Sequence, residues 1–523
     1  SVKFPSTLKT IGKFAFSGCT GLTGEVVFPE GVTTIGREAF HNCTGVTGVQ
    51  FPSTLTTIGQ QAFDSTGLTA LELPASVTSI DYGAFQKTKI KTLYLPDGLN
   101  ITESGVFQEC TELTEISVGG DVMGNGAFGD CTALTTVTVR EGATSIGSMA
   151  FGGCTALTTV NLPKSLTTLD AQAFYGCTAL KSINFAEGSP FRFQDGIVYS
   201  GNSILFVLTL DQEELVIADG VTEIGDQAFQ NQTVLKKVTL PDSLVKIGSS
   251  AFKGCTNLAS INLPKNLEEI GYAAFNNCTS LPMVTFPASL KTIGGSAFKG
   301  CTNMKGRLYL PGTITSFGGY AFQDCSGITS VYFEDAADPE NTTYGEMLLR
   351  ECVNLTDLRL PENMTKLNGM IYHCYGLRKL VLPENIKEFA SNDYLPDGFV
   401  YMDLKGIQKF STYTMSNMSN LKELYLSADL TDYPDSGRNC HPDIIYFRGT
   451  EEQWNAVKFG KNTLANFEKY GTVIVFNYGS ETGDAPEITK QPESATYEQG
   501  LRPSPLAIEV NELEGAQYVY HWF

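Results

Sequence analysis

Residues 146–163 read IGSMAFGGCTALTTVNLP, and this phrase decides the fold because it recurs. It returns 23 residues later, around Phe174 and Cys177, and again around Phe252, Phe275 and Phe298. A fixed period in this range marks a solenoid, in which each unit covers its apolar face only against its neighbours. Within one unit, Ala150, Phe151 and Cys154 follow Ile146 at spacings that lay them on one face of a short helix. Ala allows close approach, and Phe supplies the large buried area. Leu157 turns inward. Val160 and Leu162 then alternate about Asn161, which is strand periodicity. Pro163 ends the strand where no further ladder donor is needed. Gly147 stands at the bend, where a permissive backbone serves.

The strand phrase L-x-x-V-x-L resembles the core of leucine-rich repeats. Three residues after its last apolar position stand Thr7, Thr54, Ser76, Ser165, Ser243, Asn266, Ser289, Thr313, Asn363 and Asn385. In leucine-rich repeats the Asn there bonds backbone groups between turns, and Ser, Thr and Asn can do the same here. The fuller signature I-G-x-x-A-F-x-x-C-T resembles the Treponema pallidum-type, or BspA-like, leucine-rich repeats of bacterial surface antigens, over roughly residues 1–450. The expected fold is an α/β repeat solenoid: a right-handed superhelix of roughly 23-residue units with a parallel concave sheet and short convex helices. The resemblance implies an extracellular or bacterial cell-surface location and adhesion to protein or glycan ligands on host or neighbouring cells.

The solenoid is expected to span residues 1–479. Residues 186–216 break the repeat; within them Ser200-Gly201-Asn202 sits between two apolar runs, so Gly196–Val207 is read as a hairpin. Residues 334–440 lose the Ala-Phe pair and are read as degenerate repeats. Residues 441–479 are read as a C-terminal cap: Thr450 with Gln453 fits a capping box, Trp454 and Val457 share one helix face, and residues 473–478 form a closing strand. Residues 480–486 are a linker by composition. Residues 487–523 resemble the opening of a bacterial immunoglobulin-like module, with Trp522 as its core tryptophan. Such a sandwich needs about 100 residues. The chain also opens in mid-repeat, so it is read as a piece of a longer protein.

Lys and Arg number 36 against 56 Asp and Glu, a net charge of −20. Nucleic acid is therefore excluded as a partner, since binding it rests on neutralising phosphates. No apolar run approaches the roughly 18 residues of a spanning helix, which excludes direct membrane insertion by this stretch. Twelve of the 13 cysteines, Cys19 to Cys374, fall at or near one repeat position; Cys440 stands apart. A column like this is read as small buried apolar residues with free thiols, because parallel side chains do not supply disulfide geometry. No C-x-x-C pair exists and only four histidines are present, so no metal site is read. His41 and His373 beside the cysteine column are read as solvated or capping side chains. No G-x-S-x-G, H-E-x-x-H or P-loop motif occurs. The chain is read as no enzyme, with no cofactor.

The remaining lead is the outward residue between the two buried strand positions. In the middle of the array it is small and polar: Ser117, Thr138, Asn161, Asn184. In the C-terminal third it becomes Tyr309, Tyr332, Arg359, Tyr425 and Tyr446. Tyr and Arg dominate binding hot spots, although Tyr also simply suits strands. These five are the candidate ligand-binding residues. Three functions follow: an adhesin, a passive spacer presenting another domain, or a companion to an enzymatic domain elsewhere.

Overall fold

The computed structural model describes residues 2–96, 99–120, 122–208, 210–411, 414–415, 418–435, 440–478, 488–490 and 509–510. They fall into two compact units, Ser1–Glu213 with Ala218–Leu235, and Glu214–Ile217 with Lys236–Phe523. Both are stacks of one turn of about 23 residues, about 19 turns in all.

Each regular turn contributes two short parallel strands. In the first unit Thr136–Val139 pairs with Glu115–Val118 on one side and Thr159–Leu162 on the other, with Val137 opposite Val160. A second ladder joins Thr10–Ile11, Thr34–Ile35, Thr57–Ile58 and Ser79–Ile80. No strand is read from sequence at these Thr-Ile pairs, which precede the bend at the glycine; their β-branched side chains form a second pleated stack. Proline links the two ladders: the Leu166 N–H donates to the Pro163 carbonyl at 3.4 Å, closing the turn that follows the strand.

The expected convex helices are absent from the described repeats. The Ala-Phe-x-x-Cys stretch is a run of turns with a left-handed residue at each end, such as Met149 (φ 55°) and Gly153 (φ 72°) flanking Phe151. The reason lies in the hydrogen bonds. Ala150, Gly152 and Cys154 donate locally to residues three earlier, while Met149, Phe151 and Gly153 donate sideways to Gln172, Ala173 and Tyr175 of the next turn. An α-helix would spend all these donors on itself; here alternate donors join neighbouring turns. The only α-helices among the described residues are α1 (Glu451–Ala456) and α2 (Thr463–Tyr470).

The core is a column of rings. Phe16, Phe40, Phe63, Phe85, Phe107, Phe128, Phe151 and Phe174 stack with centroids 5.0–5.7 Å apart and planes within 10°. In the second unit Phe252, Phe275, Phe298 and Phe322 repeat the arrangement. Beside them runs the cysteine column. All 13 thiols are free, and all but Cys19 are buried. They do more than fill space: the Cys301 thiol donates to the Phe275 carbonyl at 3.1 Å, Cys177 to Phe151 at 3.1 Å, and Cys154 to Phe128 at 3.3 Å. Each links its turn to the one before. The Ser/Thr/Asn column also bridges turns: Ser165 Oγ accepts from the Gly142 N–H and donates to the Ala143 carbonyl, and Asn385 donates to the Glu362 carbonyl. Thr313 departs from this, its buried hydroxyl having no partner.

Glycine after the Ile has a different role from the one read in sequence. Its φ is not in the left-handed region. A Cβ on Gly294 would instead lie 2.5 Å from the Gly271 carbonyl carbon and the Tyr272 nitrogen, both in the preceding turn. Gly147 is equally tight, 2.6 Å from Asn125 Oδ1. The glycine sets the spacing between turns.

The insertion is a three-stranded antiparallel meander. The predicted hairpin is present as Ile197–Ser200 and Ser203–Val207, and Phe191–Gln194, not anticipated, pairs with its first strand. In the cap, Thr450 and Gln453 form the capping box, and Trp454 is buried against Phe447 and Phe459. α2 was not foreseen. The immunoglobulin-like reading falls almost wholly outside the described residues, apart from an antiparallel pair, Ile488–Lys490 with Glu509–Val510.

Candidate functional site

The five residues singled out from sequence all stand on strands of the second unit, in two groups. Tyr309 and Tyr332 are register partners on Gly306–Leu310 and Ile328–Phe333. Their rings stack at 5.4 Å and 12°. Arg359 is the next register partner. Its guanidinium lies 4.5 Å from the Tyr332 ring centre and donates to the Tyr332 hydroxyl. Asp335 holds the guanidinium from the other side at 3.6 Å. Tyr309 keeps 47% of its surface exposed.

The second group lies on a five-stranded parallel sheet of Lys379–Val381, Tyr401–Leu404, Glu423–Leu426, Ile444–Phe447 and Val473–Val475. Across it, Asp403, Tyr425, Tyr446 and Val475 are successive partners. The Tyr425 and Tyr446 rings stack at 4.5 Å and 15°. Sequence reasoning missed two members. Tyr401 lies 5.0 Å from Tyr425, and Tyr478 lies 5.2 Å from Tyr425 and 5.1 Å from Tyr446. Tyr401 had a signal, since it stands two residues before Asp403 and strands alternate with period two. Tyr478 had none, because it follows the closing strand and reaches the group only through the fold.

Between the groups the sheet is interrupted: Asp357–Arg359 and Lys379–Val381 belong to different sheets. A groove of about 310 Å³ opens there, lined by Asp357, Arg359, Glu362, Lys379 and Val381 among others.

Polar groups under the second tyrosine group are incompletely satisfied. Tyr425 donates its hydroxyl to Glu423 at 3.0 Å. Burial, reinforced by that carboxylate, pushes its phenol well above the ordinary range. Burial also raises the Asp403 carboxyl, against the pull of Arg448 at 3.9 Å. Asp403 Oδ1 and Arg448 Nε are both buried without a hydrogen-bond partner. Buried polar atoms are nearly always paired, so these two stand out on this sheet. Stacked rings, the Arg448 guanidinium and incompletely satisfied polar atoms thus stand together on this five-stranded sheet.

Two histidines elsewhere face carboxylates. His41 faces Asp64 at 3.5 Å, and His373 faces Glu351 at 3.7 Å between the rings of Tyr372 and Tyr375. Among the described residues no cluster of His, Cys, Asp and Glu could hold a metal ion, and no helix is long and apolar enough to cross a membrane.

A profile of the BspA type leucine rich repeat region matches residues 1–114, 104–196, 201–329 and 306–422. Several solved structures are similar, three of them as follows. A leucine rich cell surface protein from Faecalibacterium prausnitzii is 27% identical, covering 64% of this chain and 85% of its own, with a TM-score of 0.46. A leucine-rich repeat protein from Bacteroides ovatus is 26% identical, covering 65% and 87%, with a TM-score of 0.42. A leucine rich repeat protein from T. pallidum is 34% identical, covering 35% and 87%, with a TM-score of 0.30. No curated protein matches the sequence.

Proposed function

We propose that this chain, which belongs to the BspA-type leucine-rich repeat family, is a surface-displayed adhesin that binds a protein or glycan on host or neighbouring cells. Proteins of this family are typically bacterial surface proteins, and their repeats are typically non-enzymatic. The observation that carries the reading is the tyrosine group Tyr401, Tyr425, Tyr446 and Tyr478 over the unpaired Asp403 and Arg448 atoms. Rigid aromatic faces with a few placed polar groups are what recognition surfaces are made of. Tyr309, Tyr332 and Arg359 extend the surface across the groove.

A spacer role has one specific support. In the later repeats of the first unit the outward column satisfies itself: Asn184 donates to Asn161 at 2.9 Å, and Asn161 to Thr138 at 3.3 Å. That stretch offers a ligand little. The two readings separate by experiment. The purified chain is screened against immobilised matrix proteins and a glycan array, beside a Tyr425→Ala/Tyr446→Ala variant and a Tyr309→Ala/Tyr332→Ala variant. Saturable binding that the first variant loses while remaining folded supports the adhesin and its site. Absence of saturable binding favours the spacer.

A further inference from the structure

We propose that the first unit carries a second binding site, for an uncharged extended peptide segment recognised through its backbone, in the cleft left where the hairpin interrupts the repeat. The cleft has a volume of about 340 Å³, at the small end of the roughly 300–1,000 Å³ of ligand pockets. It lies among the turn segments, whereas the tyrosines stand on strands of the other unit.

Its walls are a broken ladder. In the preceding turns the donors alternate sideways without exception: Gly126 to Ser148, Phe128 to Ala150, Asp130 to Gly152, then Met149 to Gln172, Phe151 to Ala173 and Gly153 to Tyr175. Of the next donors in this series, the Gln172 N–H turns back to Asp170 Oδ1 at 2.9 Å, which leaves those of Phe174 and Gly176. Neither has a partner among the described residues. On the facing wall, Gln227 to Gln232 form the next copy of the turn segment. Of its outward carbonyls, that of Ala228 is taken by the Val207 N–H of the hairpin, while that of Gln230 accepts nothing among the described residues. The hairpin thus replaces half a turn. Phe206 enters the ring column beside Phe174, 6.4 Å away, and the chain then leaves. One rung of main chain is missing, with donors on one side and an acceptor on the other. Unpaired backbone N–H groups are rare in buried segments; Phe174 is 4% exposed, while Gly176 stands at the exposed mouth.

The lining selects the occupant. Gln172, Gln227, Gln230, Asn231 and Gln232 give it carboxamides, Tyr175 a ring half exposed, and no Asp, Glu, Lys or Arg contributes. Gln172 donates to Gln227 across the gap, and Gln232 holds the departing chain at Leu208 and Leu210. The side chains of Gln230 and Asn231 make no hydrogen bond among the described residues. Carboxamides both donate and accept, which matches a peptide backbone and disfavours a charged ligand. Strand addition to unpaired main-chain groups is a general mode of peptide capture.

The test uses the full chain and an array of octapeptides built from Gly, Ala, Ser, Thr, Asn and Gln, with uncharged oligosaccharides alongside. Peptide binding is expected to be saturable and to slow hydrogen exchange at the Phe174 and Gly176 amides. Gln230→Ala with Asn231→Ala is expected to weaken it about tenfold, while Tyr425→Ala/Tyr446→Ala leaves it unchanged. Gln230→Trp, which fills the cleft from its half-buried wall, is expected to abolish it. The proposal is overturned if no peptide binds, if binding leaves the two amides exchanging freely, if the cleft-filled variant still binds, or if oligosaccharides rather than peptides protect the amides.

Discussion

Replacing the glycine after isoleucine by alanine should have opposite effects at two copies of one sequence position. In Gly294→Ala the new methyl would sit 2.5 Å from main-chain atoms of Gly271 and Tyr272. Both obstacles are backbone, so no side-chain rotation relieves the overlap and two turns must separate locally. Overpacking of this kind costs about 1–3 kcal/mol. At Gly12, in the same Thr-Ile-Gly phrase, nothing lies within 4 Å of the added methyl, and φ is not left-handed. Gly12→Ala should therefore be neutral or stabilise by about 0.4–1 kcal/mol through the unfolded chain. Repeat arrays lose two-state behaviour, so a global midpoint is a poor readout. Native-state hydrogen exchange is local. The amides of Phe275 and Asn277, which bond to Ala297 and Lys299 across the strained junction, should exchange roughly 5- to 160-fold faster in Gly294→Ala, the rate equivalent of that energy. The amide of Phe16, bonded to Ala39, should slow or stay constant in Gly12→Ala. Equal destabilisation by both substitutions would refute the spacing argument and restore backbone freedom as the role of this glycine.

Phe298→Ala empties a fully buried position stacked on Phe275 and Phe322, and is expected to cost about 3–5 kcal/mol, read as lost protection in the adjoining turns. Thr450→Ala removes the side-chain half of the capping box, the bond that Thr450 Oγ1 accepts from the Gln453 N–H, and should cost about 1 kcal/mol, with Thr450→Ser restoring it, measured by thermal denaturation. A thiol reagent at neutral pH should modify Cys19 and leave the buried column untouched until denaturant is added. Burial lifts the Cys374 thiol to about 12, so the folded chain holds that proton where the unfolded chain releases it. Its stability contribution is complete below pH about 9 and declines as pH rises towards 12, giving a melting temperature that falls with alkalinity.

The repeat period made the architecture legible because each turn meets only copies of itself, so one phrase read correctly is read many times over. The strand column, the ring column, the cysteine column and the bridging Ser and Asn positions all followed from it. The helices did not, and the reason is instructive. Apolar spacing at Ile146, Ala150, Phe151 and Cys154 reports which side chains face inward, and both a helix and a chain of turns put them there. Only the sideways donors of Met149, Phe151 and Gly153 separate the two, and a hydrogen bond to a residue more than twenty positions away leaves no local trace. The glycine was misread for the same reason, since its constraint comes from the neighbouring turn.

The candidate site divides along the same line. That Tyr309, Tyr332, Arg359, Tyr425 and Tyr446 share an outward column was determined by sequence alone, through period-two alternation within a repeat of known length. That they form two groups across an interrupted sheet, that Tyr401 and Tyr478 complete the second, and that Asp403 Oδ1 and Arg448 Nε lack hydrogen-bond partners beside it were decided by tertiary structure. A side chain's direction is a property of its own strand, whereas its neighbours and the satisfaction of its polar atoms depend on how far apart successive turns come to rest.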